Sequence, residues 1–144
     1  MKRKIALNLL IIISVAASGC SSLKPNKKES IYSQYIKEKK LEPQKRITSF
    51  RFHGWRSLDN EHLILNTTFS KPYLIDLAGV CFDLSFSHSI AIHNTGSSLQ
   101  AKFDSISVPD NHEFKCRIES IYKITRDQAK ELSSLKSKKS SEAS

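Results

Sequence analysis

The sequence predicts a mainly β domain: a small antiparallel barrel or sandwich of six or seven short strands, with a short N-terminal and a short C-terminal helix. Three observations carry that prediction. Short apolar or alternating runs recur between residues 47 and 124 at a spacing of roughly ten residues. Turn-forming residues separate them: Leu58-Asp59-Asn60-Glu61, Ser70-Lys71-Pro72, His93-Asn94-Thr95-Gly96 and Pro109-Asp110-Asn111. A helical period appears only outside this region, over residues 30–41 and from Thr125 onward.

The chain opens on a segment with its own logic. Lys2, Arg3 and Lys4 precede an apolar stretch from Ile5 to Val15, and small residues follow at Ala16, Ala17, Ser18 and Gly19. The stretch is too short for a bilayer crossing, which needs about 20 apolar residues. A charged start, a short apolar centre and a small-residue end are the parts of a secretory signal. Ala17-Ser18-Gly19-Cys20 resembles the lipobox of bacterial lipoproteins, with Ala17 at the position where Leu is commonest. The resemblance implies cleavage between Gly19 and Cys20 and lipidation of Cys20. Ser21 stands where an Asp would favour inner-membrane retention, so the resemblance implies the outer membrane, periplasmic face. The alternative is an ordinary signal cut at Ala17-x-Gly19 and a soluble periplasmic protein. Removal of residues 1–19 leaves 125 residues, and the net charge falls from +9 to +6 with the loss of Lys2, Arg3 and Lys4.

Residues 20–29 read as a lipidated polar tether, with Pro25 and several lysines. In residues 30–41, Ile31, Tyr32, Tyr35 and Ile36 form one helical stripe, Ser30 is the N-cap, and Glu42-Pro43 ends the run. The β-rich domain occupies residues 30–124 with this helix as a flap. Its strands are "ITSFRF", "HLILN", "YLIDL", "SIAIH", "LQAKF" and "CRIESIYKI". Leu99, Ala101 and Phe103 share one face of the fifth. Cys116, Ile118, Ser120, Tyr122 and Ile124 share one face of the sixth. Residues 125–144 are a short helix and a disordered polar tail. Thr125 and Gln128 form a capping box, Ala129, Leu132 and Leu135 a thin stripe, and the tail starts at Lys136.

With Cys20 taken by lipid, Cys81 and Cys116 remain as a pair. In an oxidising periplasm such a pair forms a disulfide, closing a 36-residue ring. No C-x-x-C is present to suggest a redox thiol. A second resemblance rests on the order of several short motifs. They are "W-x-x-L-D" from Trp55, "P-Y-L-I-D-L" from Pro72, "C-F-D-L" from Cys81, "F-D-S-I" from Phe103 and "C-R-I-E-S-I" from Cys116. Together they are similar to a family of small exported proteobacterial proteins, often lipoproteins, that carry a domain of unknown function. That resemblance implies fold, disulfide and location, and no activity.

Candidate chemistry is sparse. The five histidines, His53, His62, His88, His93 and His112, show no zinc-motif spacing, so no metal ligand is assigned. Asp76, Asp83 and Asp104 lie inside apolar runs, where they would serve as acid/base groups only if two met in a cleft. The sequence lacks G-x-S-x-G and HExxH and shows no convincing triad, so no catalytic residue is assigned. Trp55, His88 and His93 are the candidates for a binding surface. The expectation is a lipid-anchored, non-catalytic binding or accessory module without a cofactor. Its partners would be the membrane, through the N-terminal lipid, and an envelope protein or anionic envelope polymer, with no nucleic acid. The alternative is a metal-binding or hydrolytic periplasmic enzyme using His and Asp residues in a loop cleft.

Overall fold

The computed structural model describes residues 29–68, 70–109 and 114–142. The signal segment, Gly19, Cys20, the tether to residue 28, His112 and the Asp110-Asn111 turn lie outside the described residues.

The chain begins with α1 (Ile31–Glu38), capped as the sequence predicts. The Ser30 side chain accepts the Tyr32 amide at 3.3 Å, and Tyr32 and Tyr35 are buried. The helix stops before Pro43, because Lys40 takes a left-handed turn (φ 49°) and the Leu41 amide closes back on the Ile36 carbonyl. Nine strands follow among the described residues: β1 (Pro43–Gln44), β2 (Arg46–Ile47), β3 (Gly54–Ser57), β4 (His62–Asn66), β5 (Pro72–Leu77), β6 (Ala91–His93), β7 (Leu99–Gln100), β8 (Ser105–Ser107) and β9 (Cys116–Lys123). α2 (Arg126–Glu142) ends the described chain.

The main sheet is antiparallel, in the order β3-β4-β5-β9-β8-β6, and curls into a half-barrel with β3 and β6 at its edges. β9 is its spine. β5 runs along one side of β9, while the other side is shared by β8 at Arg117 and Cys116 and by β1 at Tyr122 and Ile121. β2 and β7 form a separate two-stranded piece. The mainly β class with a helix near each end is as predicted.

Both faces of the sheet are covered, which explains why "HLILN" and "YLIDL" are apolar throughout rather than alternating. On one face Leu63, Leu65, Tyr73, Ile75 and Leu77 pack with Cys81, Leu84, Leu99, Ile106 and Val108, which come mostly from loops and short strands. On the other, Ile64 and Leu74 pack with Tyr32 and Tyr35 of α1, Leu132 of α2, and Leu58. Cys81 and Cys116 are joined as a disulfide, their Cα atoms 5.6 Å apart.

Four expectations about individual elements are corrected. The alternation of Cys116, Ile118, Ser120, Tyr122 and Ile124 breaks at a bulge, where Asp76 opposes Ser120 and Leu77 opposes Ile118. Glu119 is the extra residue. Ile118 and Ile121 therefore both enter the loop-side core, and Tyr122 and Ile124 join the helix side. The predicted strand over residues 47–52 is only β2, because Ser49 turns left-handed (φ 52°) and the Phe50 amide bonds Ser97 instead. Ile47 and Phe50, three apart, are both buried as a result. "LQAKF" is a strand only at β7. Lys102 is left-handed (φ 72°) and the Asp104 amide returns to the Gln100 carbonyl, so Leu99 is buried while Phe103 is 81% exposed. The C-terminal helix runs on through Lys136, where a polar tail was expected to begin. The Lys136 ammonium reaches the Ser57 carbonyl at 3.0 Å and its hydroxyl at 2.8 Å, which ties this stretch to β3. The predicted capping box is present: the Thr125 amide meets Gln128 Oε1 at 2.8 Å and the Gln128 amide meets Thr125 Oγ1 at 3.1 Å.

Candidate functional site

A groove of about 790 Å³ opens where β1, β2 and β7 meet β9. Its walls are Pro43, Gln44, Lys45 and Arg46 on one side and Gln100 to Phe103 on the other, with Glu119 and Ser120 of β9 as the floor. The β9 bulge helps to make it, since the extra residue falls where neither β1 nor β8 pairs with the strand. The 100–104 turn is firmly held. Asp104 Oδ2, itself buried, accepts the Gln100 amide at 2.6 Å, the Lys102 amide donates to Ile118 at 2.7 Å, and the Ala101 amide donates to Lys45 at 3.0 Å. This fixed turn holds Phe103 out at the rim.

The groove is cationic at its edges. Lys102 pairs with Glu119, and neither Lys45 nor Arg46 makes an ion pair among the described residues. An exposed phenylalanine therefore shares the groove with two cations that make no ion pair among the described residues.

A second polar cluster lies on the helix side. His62, only 1% exposed, puts Nδ1 at 2.9 Å from Asp59 Oδ1 and Nε2 at 3.3 Å from Ser33 Oγ. Asp76 Oδ1 is 3.5 Å from the same Nε2. Asp59 also accepts the amides of Glu61 and His62 and the hydroxyl of Ser30. Burial alone would raise the Asp59 pKa. The His62 hydrogen bond and charge, with the Glu61 amide and Ser30, outweigh burial and hold it down to about 2. Asp76 goes the other way. Its burial, with the charges of Glu61 and Asp59, pushes it above the ordinary range against the pull of His62 and Lys102. Tyr32, whose hydroxyl donates to the Leu58 carbonyl at 3.3 Å, is pushed up to about 12 by burial and then by Asp59.

In residue type, Ser33, His62 and Asp59 match a nucleophile, base and orienting acid. Their setting serves packing: the ring is enclosed, and the 790 Å³ groove and the hollows of about 420 and 200 Å³ are lined by other residues. The cluster pins α1 to the β3–β4 turn. Sequence inspection singled out Asp76 but missed its neighbours. The readable signal was Asp59-x-x-His62 in a turn, with Ser30-x-x-Ser33 opening the helix ahead of it.

The predicted surface residues are not brought together. Trp55 is half-buried on edge strand β3, His93 is on the opposite edge strand β6 with Nε2 at 2.8 Å from Ser107 Oγ, and His88 is exposed in the preceding loop. No hydrogen bond or ring contact joins them among the described residues. Asp83 is exposed at a left-handed turn (φ 63°), and Asp104 caps a loop amide. Among the described residues, no three His, Cys, Asp or Glu side chains are placed to hold a metal ion. No described helix is long and apolar enough to cross a membrane.

One family profile matches residues 1–140, almost the whole chain. The chain belongs to DUF6491, a family of unknown function. The resemblance to a domain of unknown function thus holds, and the match covers the disulfide, both walls of the groove and the His62 cluster of this DUF6491 chain. No curated protein and no solved structure matches it.

Proposed function

We propose that this DUF6491 chain is a lipid-anchored protein of the bacterial cell envelope that acts as a non-catalytic binding module. Its lipidated residue is Cys20, exposed by a cut after Gly19. Its location is the periplasmic face of the outer membrane, the address that Ser21 favours. The Cys81–Cys116 bridge agrees with an oxidising compartment. The binding site is the groove between Lys45-Arg46 and the 100–103 turn, and the partner is an anionic envelope polymer or an acidic face of an envelope protein. The observation that carries this reading is the fixed turn that presents Phe103 to solvent beside two cations, Lys45 and Arg46, that make no ion pair among the described residues. An exposed aromatic held by several backbone bonds fits a recognition element better than a fold requirement.

The test is photo-crosslinking in intact cells with a photoreactive residue at position 103. A discrete adduct is expected, and the double substitution Lys45→Glu, Arg46→Glu should reduce it at least tenfold. An adduct pattern that the double substitution leaves unchanged would refute the groove as the site. In parallel, Cys20→Ser should release the protein from the membrane fraction and leave the precursor uncut. Unaltered retention would refute the anchor.

A further inference from the structure

A different end of the molecule carries exposed aromatics that the groove does not use. Phe82 is 64% exposed and Phe86 81% exposed, and both belong to the loop after β5. Phe114, 61% exposed, stands two residues before Cys116, which the disulfide joins to Cys81 at the start of that loop. The loop is fastened on several sides. The Cys81 amide donates to the Asn60 carbonyl at 2.7 Å. The Ser85 amide and hydroxyl both donate to Asn60 Oδ1, at 3.0 and 2.7 Å. The amides of Phe86 and Ser87 return to Asp83, and Leu84, between the two phenylalanines in sequence, is buried in the core. Phe82 and Phe86 are therefore displayed by a fixed loop.

The turn that holds this loop also holds the start of the domain. Asn60 grips residues 81 and 85, and the adjacent Asp59 accepts the Ser30 hydroxyl at 2.9 Å. The chain that leads back to Cys20 consequently leaves the domain at the aromatic end. Ten residue steps separate Cys20 from Ser30, a reach of at most about 35 Å. Lys115 and Arg117 flank Cys116 and are exposed, and the intervening chain carries Lys24, Lys27 and Lys28. Aromatic side chains among cations, close to a lipidated residue, match the interface between acyl chains and anionic headgroups.

We propose that the Phe82–Phe86 loop, with Phe114, is a second membrane contact that seats the domain on the leaflet holding the Cys20 acyl chains. This inference rests on the lipid-anchor reading above. It adds an orientation: the β3–β4 turn faces the lipid, and the β4–β5 turn at Thr67–Lys71 faces away.

Bromine quenching tests it on the full mature protein. In a Trp55→Phe background, Phe82→Trp places the reporter in the loop, Phe86→Trp repeats it at a second position, and Thr68→Trp places it at the far turn. Each protein is reconstituted in vesicles of phosphatidylethanolamine and phosphatidylglycerol, part of whose acyl chains are brominated. The reporters at 82 and 86 should lose at least twofold more emission than the one at 68. Equal quenching at all three positions, on a protein whose N-terminal peptide mass includes acyl chains, would overturn the seating and leave the anchor standing. A blue-shifted reporter at 82 without quenching would assign the loop to a protein contact instead, and also overturn it. An unacylated N-terminal peptide would overturn the anchor reading and this inference with it.

Discussion

On one face the sheet buries Leu63, Leu65, Ile75, Ile118 and Ile121 under short strands and loops, and a disulfide crosses that cover. On the other it buries Ile64, Leu74 and Tyr122 under two helices, and side-chain hydrogen bonds fasten those helices. The difference follows from what each cover can do for itself. A helix satisfies its own backbone, so α1 and α2 need only a few pins to fix their positions. Irregular chain does not satisfy itself, and its position must be imposed from outside. Here Asn60, Asp104 and the Cys81–Cys116 bond impose it.

Removal of the bridge should test the loop side hardest. A Cys81→Ser, Cys116→Ser protein is expected to lose about 3–4 kcal/mol in urea unfolding, given the length of the ring the bond closes. A loss below about 1 kcal/mol would mean that the loop cover holds without its staple, and the contrast between the faces would fail. On the helix side the largest single effect should come from Asp59→Asn. The Asp59 pKa is lowered from 3.8 to about 2, so its ionisation contributes stability above pH 4 that is lost as pH falls toward 2. That shift corresponds to about 2 kcal/mol. Asp76, with its raised pKa, has the opposite sign and costs stability once it ionises. Urea midpoints from pH 7 to pH 2 should therefore drop in the parent protein and flatten in Asp59→Asn. An unchanged slope would remove Asp59 as the pin. The smallest effect should come from Tyr35→Phe. It deletes the 2.7 Å bond from the Tyr35 hydroxyl to Glu131 that links α1 to α2, and about 1 kcal/mol is expected by the same unfolding measurement.

The parts legible in the sequence were those governed by local pattern. β4 and β5 stood out as apolar runs, β9 by alternation, α1 by its tyrosine stripe and Ser30 cap, and α2 by its capping box. The bulge was not read: Ile118 and Ile121, three apart, break strict alternation, but only the pairing with β5 shows that Glu119 is the extra residue. The groove was not legible either. It gathers residues 43–46, 100–103 and 119–120 from three separate stretches, and the motifs that include Phe103 and Glu119-Ser120 do not show that these stretches meet. His62 was named with the other histidines but given no role, because none shows zinc-motif spacing, and only the fold of α1 over β4 encloses it. Spacing put Phe103 on the same strand face as Leu99, and the left-handed Lys102 parts them, leaving Leu99 buried and Phe103 exposed.

The place of α1 has a mechanical consequence. A pull on the N-terminal end of the domain enters at Ser30 and loads the Ser30–Asp59 and Tyr32–Leu58 bonds at the β3–β4 turn and the Ser33–His62 bond at the start of β4. None of these is a pairing bond of the sheet, so the helix stands between such a load and the backbone ladder of the strands. Behind it, the segment from Cys81 to Cys116 is closed by its covalent bond and cannot lengthen under tension.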